Sequence, residues 1–426
     1  MLCAEYDPSR PHGEVAQRQH EGLRIFELVN NWAFERFEET YRSPLVAKRV
    51  ESVLDDFAPE LLHVHNLLNL SLEVPALARR RGIPVVATLH DHTLSCPSGG
   101  QRVHIAEAHP CVEIDFERCA RCFAQSPFAA QMAVGRRTAQ VPVPRLALRL
   151  ARAFRGRFPG AATAFAGRVV RTSAPRPVEI RRRLAYALRM AESVDLFVAP
   201  SQALADEHRR LGFPAAKLRV SDYGFPPLAA VGARVARDPQ APLAIGFVGT
   251  LVWHKGVHVL LEAAARLPRD RFEIHVFGSL DTFPDYVASL RQLAAGLPVR
   301  FRGGFEARDA ARVYAELDVL VVSSLWPENS PLVIHEAFQA GVPVVGARVG
   351  GIPALLDEGR AGLLYDAFSP ADLARALTSL ADSRELLAGL AARIPAVKPI
   401  EQDAAEWDAI YTALRTGRPG AAGASA

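Results

Sequence analysis

From residue 243 onward the chain alternates short apolar runs with amphipathic helical segments, and this alternation constrains the fold more than any other feature. The runs are 244–248, 272–277, 299–302, 319–322 and 344–347, and the segments between them, 257–267, 285–295, 307–317 and 331–340, have helical spacing. Strand and helix in strict succession predict an α/β doubly wound parallel sheet. A second unit of the same kind reads earlier in the chain. Its strands are 60–65, 83–89 and 196–199; its helices include 72–81, stopped by Gly82, and 179–192, and Ser201 is placed to cap one more. The run from Ile83 to Leu89 is continuously apolar, as a strand buried on both faces must be. His90, Asp91 and His92 follow its carboxyl end, the edge at which open α/β sheets bind ligands. With 426 residues, 49 % of them hydrophobic, the chain can bury two cores. The expected layout is a first domain over 1–224, a Pro/Gly/Ala-rich linker at 225–242, a second domain over 243–395, a helix in 396–415 and an unstructured Gly/Ala/Ser tail at 416–426.

The segment after strand 319–322 reads Trp326-Pro327-Glu328-Asn329-Ser330-Pro331-Leu332-Val333-Ile334-His335-Glu336. Ser330 suits an N-cap and Pro331 the first helical position. Glu328 in the loop and Glu336 two turns into the helix can meet different parts of one extended ligand. The free N–H groups between them suit a phosphate. On spacing alone, a capped surface helix with solvated acids fits equally well.

The flanking residues add to this. Gly341-Val342-Pro343-Val344-Val345-Gly346, Gly350-Gly351-Ile352-Pro353 and Gly362-Leu363-Leu364 follow; Ile245-Gly246-Phe247-Val248-Gly249-Thr250-Leu251 and Lys255-Gly256 precede. Together they resemble the retaining nucleotide-sugar glycosyltransferases of family 4, densely over 243–366 and recognisably from about residue 57. The resemblance implies a GT-B fold, with two Rossmann-like domains facing across a cleft and a terminal helix crossing back to the first domain. It implies a nucleotide-sugar donor held by Gly249, Thr250, Lys255, Ser330, Leu332, Val333 and Glu336. Lys255 would neutralise the diphosphate and Glu336 would accept from the ribose hydroxyls. Many relatives carry Arg where this chain has Thr250. Glu328 and His90 are the implied catalytic pair, Glu328 at sugar hydroxyls near the transferring carbon and His90 facing the sugar from the first domain. Retention by front-face attack needs neither a protein nucleophile nor a catalytic divalent metal. Family members open with a strand, a Gly-rich loop and a helix that have no match here. Residues 1–4 read as the end of an interior strand, so the first domain is expected to be incomplete. Two alternatives stay open: a non-catalytic, degenerate partner protein, and a GT-B nucleotide-sugar epimerase.

Four of the five cysteines, Cys96, Cys111, Cys119 and Cys122, fall within 27 residues and include a Cys-x2-Cys pair. That pattern predicts a structural zinc site, with an iron–sulfur cluster as the lesser alternative. Residues 124–178 form a basic insertion, with ten arginines between Arg136 and Arg176 and no acid from 118 to 178. Residues 145–157 plot as a basic amphipathic helix, which suits either an anionic membrane surface or a solvated insertion. No aromatic ladder accompanies the arginines, so nucleic acid is not an expected partner. With no apolar run of eighteen residues and no leader at its start, the chain is expected in the cytoplasm, acting on a glycan or lipid-linked acceptor.

Overall fold

The computed structural model describes residues 1–104, 107–138, 174–228 and 241–417, with isolated positions between 143 and 153. The chain opens with three strands: β1 (Leu2–Glu5), β2 (Val15–His20) and β3 (Leu23–Val29). β1 pairs in parallel with β3, and β2 pairs with β3 as an antiparallel hairpin. The hairpin turns through Glu21 and Gly22, both at positive φ (47° and 80°), as a two-residue turn with right-handed strand twist requires. The sequence reading anticipated no such hairpin.

Helix Pro44–Phe57 follows, capped by Ser43, whose hydroxyl accepts from the Val46 N–H. Next come β4 (Leu62–Val64), β5 (Val85–Thr88), the small hairpin β6 (Val103–His104) with β7 (His109–Pro110), β8 (Leu196–Ala199) and β9 (Leu218–Val220). Four of these form a parallel sheet in the order β4-β5-β8-β9. Residues 65, 90, 201 and 221–223 therefore all lie just beyond the carboxyl ends of its strands.

The second sheet contains β10 (Leu243–Val248), β11 (Phe272–Phe277), β12 (Val299–Gly303), β13 (Val319–Val322), β14 (Val344–Ala347) and β15 (Gly362–Tyr365). All pairings are parallel, in the order β12-β11-β10-β13-β14-β15. Both faces are covered. Val319 and Val321 pack on one side with Ile245, Val276 and Val345; Leu320 and Val322 pack on the other with Tyr314, Ile334 and Val344. Burial on both sides is why the central strands β10, β13 and β14 read as unbroken apolar runs. The winding direction reverses between β10 and β13, the switch point at whose carboxyl-end crevice open α/β sheets bind ligands.

Helix Ile400–Thr416 returns to the first sheet, where Ile410, Trp407, Tyr411 and Leu414 pack over Val86 and Val198. The outgoing and returning chains are joined to each other: the Phe225 N–H donates to Lys398 O (2.9 Å) and the Ile400 N–H to Phe225 O (3.0 Å). Most of the expected linker (229–240), the tail from 418, and more than half of the amphipathic stretch 145–157 lie outside the described residues. Within the basic insertion, the exposed Arg136 donates from Nε to Phe34 O (2.7 Å).

Candidate functional site

The crevice at the switch point is lined by the ends of β10 and β13. After β10 the chain passes Gly249, whose N–H donates to Phe277 O (3.0 Å), and the exposed Thr250, then makes a short 3-10 turn, Trp253–Lys255. Gly256 closes that turn at φ 70°, and a Cβ there would stand 1.9 Å from Ser323 O. Only glycine lets the turn lie this close to β13, and this seats Lys255 at the mouth of the crevice. After β13, Ser324 and Glu328 face it. Lys255 Nζ and Ser324 Oγ each lie 2.5 Å from Glu328 Oε1. Glu328 is 6 % exposed and Lys255 28 %. The Lys255 ammonium also sits over the Trp326 ring, 5.5 Å from its centroid. Neighbouring His254 is buried, and burial together with the Lys255 charge pushes its pKa down to about 4.

Glu336, on helix Leu332–Gln339, accepts a hydrogen bond from the Tyr314 hydroxyl (2.7 Å). Leu332 and Val333 form the first turn of that helix, where backbone N–H groups have no carbonyl one turn back to bind. Ser330 does not cap the helix. Pro331 occupies the N-cap position with no side-chain cap, while Ser330 Oγ donates to Asp222 Oδ1 (2.7 Å) and lies 2.9 Å from His335 Nε2. An acceptor 108 positions away in sequence outcompetes the local N–H, a contact that spacing cannot reveal. Phe225 stacks on the His335 ring at 4.5 Å and tightens the same junction.

His90 lies across from this loop. Its Nε2 is 2.9 Å from His65 Nδ1 and its Nδ1 is 2.9 Å from the Tyr223 hydroxyl. Burial, with His65 adding to it, pushes the His90 pKa down to about 4, so the ring is neutral near pH 7. Asp91 turns into its own loop, where it accepts from the Thr93 N–H (2.7 Å), and burial raises its pKa. Asn329 bridges the two halves. Its Nδ2 lies 3.3 Å from Leu89 O, from His90 O and from the Tyr223 hydroxyl, and its Oδ1 accepts from Ser201 Oγ (3.0 Å). Gly350 and Gly351 close over the loop; a Cβ at Gly350, already at φ 56°, would stand 2.1 Å from Glu328 O. Glu328, Lys255 and His90 are therefore gathered at one crevice. The sequence reading missed His65, Tyr223 and Asn329. The first carried a signal, since the pair His63-x-His65 ends a strand; the other two act across long sequence separations.

The four cysteines line a common cavity of about 20 Å³ between the loop after β5, the β6–β7 hairpin and helix Phe116–Ala124. Among the described residues, however, no three His, Cys, Asp or Glu side chains form a group that could hold a metal ion. The thiols face backbone instead: Cys111 Sγ is 4.0 Å from His109 O and Cys122 Sγ is 3.9 Å from Val103 O. Burial and mutual proximity push Cys119 up to about 12 and Cys122 up to about 11, which keeps them as thiols near neutral pH. The arrangement among the described residues therefore gives no support to the expected zinc or iron–sulfur centre.

Two family models match the chain: Glycosyltransferase Family 4 over residues 2–144 and Glycosyl transferases group 1 over residues 242–383. The chain belongs to the family 4 glycosyltransferases. Among similar proteins is a D-inositol 3-phosphate glycosyltransferase of Corynebacterium kroppenstedtii, 35 % identical over 35 % of this chain and 36 % of its own length. Another is a sulfoquinovosyl transferase of Arabidopsis thaliana, 30 % identical over 52 % of this chain and 44 % of its own. This family 4 chain thus spans less than half the length of either curated relative. Its fold is that of GT-B structures. Sucrose-phosphate synthase from Thermosynechococcus elongatus superposes with a TM-score of 0.62 at 18 % identity, covering 98 % of this chain and 89 % of that one. Anabaena HepE in complex with UDP and glucose gives 0.55 at 18 % identity, covering 93 % and 85 %. No helix among the described residues is long and apolar enough to cross a membrane.

Proposed function

We propose that this chain is a retaining hexosyltransferase that moves a sugar from a nucleotide-sugar donor to a glycan or lipid-linked acceptor. The observation that carries the reading is the Lys255–Glu328 pair, held at the switch point by Gly256 and Gly350 with His90 opposite. A buried carboxylate neutralised by a movable ammonium is a site set to receive negative charge: the diphosphate takes the lysine, and Glu328 is released to the sugar hydroxyls. Glu336, one helix further, supplies the ribose contact. HepE was captured with UDP and glucose, and a donor of that class suits these groups. The diphosphate departs onto Lys255 and the first N–H groups of helix Leu332–Gln339, the place where negative charge develops.

The test is calorimetric titration with UDP and a panel of nucleotide diphosphates, followed by NMR of the anomeric proton in the product. Glu336→Ala and Lys255→Ala are each expected to weaken nucleotide binding about tenfold to a hundredfold, the worth of a charge-assisted contact. Unchanged affinity in both variants removes the donor assignment. Inversion at the anomeric carbon removes the retaining mechanism, and a free epimerised sugar as product establishes the epimerase alternative.

A further inference from the structure

Hydrogen-bond direction can be followed from one side of the cleft to the other. Ser201 Oγ accepts the Leu204 N–H as a helix cap (3.3 Å), so its own O–H is free to donate to Asn329 Oδ1. That sets the amide: Nδ2 faces the carbonyls of Leu89 and His90, which can meet only a donor. The same Nδ2 faces the Tyr223 oxygen, which therefore accepts. The phenol is left to give its proton to His90 Nδ1, and the neutral ring then carries its hydrogen on Nε2, directed at His65 Nδ1. The three rings lie nearly parallel, His65 to His90 at 20° and His90 to Tyr223 at 12°, so the order is held by stacking as well.

We propose that Asn329 and Tyr223 are positioning residues that fix His90 as its Nε2–H tautomer, with His65 holding that hydrogen until a ligand oxygen takes its place. His90 then presents a hydrogen-bond donor to the sugar or the acceptor and has no free lone pair with which to act as a general base. Because Asn329 belongs to the second half of the chain and the other three to the first, the tautomer is set only while the two halves meet. The role assigned to His90 rests on the glycosyltransferase reading; the tautomer itself does not.

The experiment is two-bond 15N–1H correlation NMR of the histidine rings in the ligand-free protein, with His90 assigned by its loss in His90→Gln. The expected result is a bare Nδ1 and a protonated Nε2 at His90. Tyr223→Phe keeps the stacked ring and removes the hydroxyl, and should give a mixture of tautomers. Asn329→Asp puts an acceptor where a donor stood, reversing the Tyr223 hydroxyl and moving the His90 proton to Nδ1. A wild-type His90 protonated at Nδ1, or a tautomer unmoved in both variants, overturns the proposal. In kinetics, Tyr223→Phe should lower kcat about tenfold with little change in donor KM, the loss of one hydrogen bond in the transition state. If the NMR results hold and no donor is turned over, the glycosyltransferase reading fails and the tautomer assignment stands.

Discussion

Removal of Lys255 should be felt in stability as well as in binding. Lys255→Ala leaves Glu328, 6 % exposed, with its charge uncompensated and Ser324 as its hydrogen-bond donor. Breaking a fully buried pair by deleting one partner costs about 3–5 kcal/mol. Here the lysine is 28 % exposed, and water can enter the space it vacates. A smaller loss, about 2–3 kcal/mol, is therefore expected after allowing for solvent screening. At about 2–4 °C per kcal/mol for a unit of this size, the Tm of the second half should drop by roughly 5–10 °C. Glu328→Gln keeps the Ser324 contact and leaves a lysine that solvent already reaches, so its cost should be nearer 1 kcal/mol. The double variant should cost about 2 kcal/mol, less than the sum of the two singles, a coupling of about 1–2 kcal/mol. Differential scanning calorimetry of the four proteins at one pH reads all of this. A Lys255→Ala Tm indistinguishable from wild type, or singles that simply add, would refute the claim that Glu328 depends on this ammonium.

Glu336→Ala also takes the acceptor from the fully buried Tyr314, so a stability loss of about 1–2 kcal/mol should accompany the weaker nucleotide binding, readable by urea titration. Gly256→Ala must move Ser323 O or abandon the left-handed turn; nucleotide binding should be lost and the Tm lowered, and a variant that binds as wild type removes the structural role of this glycine. A pH effect follows from the buried imidazoles. Burial, reinforced by neighbouring positive charge, pushes His63 and His92 down to about 3 and His90 and His254 down to about 4. In the unfolded chain these groups bind protons near pH 6.5, in the folded chain only below about 4. The unfolded state therefore gains protons first as pH falls. The stability these groups contribute is complete above about pH 6.5 and is lost as pH drops from there toward 4. A Tm that is flat across that window would contradict the placement of these rings.

The second half of the fold was largely legible because its central strands are apolar on both faces and the crossover helices are amphipathic. Strands 272–277, 319–322 and 344–347 come out at the residues read from sequence. The hairpin β2–β3 was not legible. Residues 16–20 are mostly polar and β2 is largely exposed, so it carries little apolar periodicity, and its turn uses Glu21 rather than the Asn or Asp that usually marks such a loop. At the site, His90, Lys255 and Glu328 were named through the family resemblance, with their places at strand ends and a glycine turn in keeping with it. The bond from Ser330 to Asp222 was not legible, because that partner comes from the far side of the linker. The cysteines show the opposite case: their spacing implied a common ligand, whereas in the structure they line one cavity without three of them forming a metal-holding group.

The bridge between Phe225 and residues 398–400 has a mechanical meaning. Two chain crossings that were independent would allow the halves to twist and slide as well as hinge. Bonded to each other at 2.9 and 3.0 Å, they behave as one flat flexure, compliant in bending and stiff in shear. Lys398 anchors the flexure on the returning side through Asp403 (2.7 Å) and Glu406 (3.1 Å). Any hinge motion of the halves would then be an opening about this flexure, and it would break the Asn329 contacts with Leu89, His90 and Tyr223 that join them across the cleft.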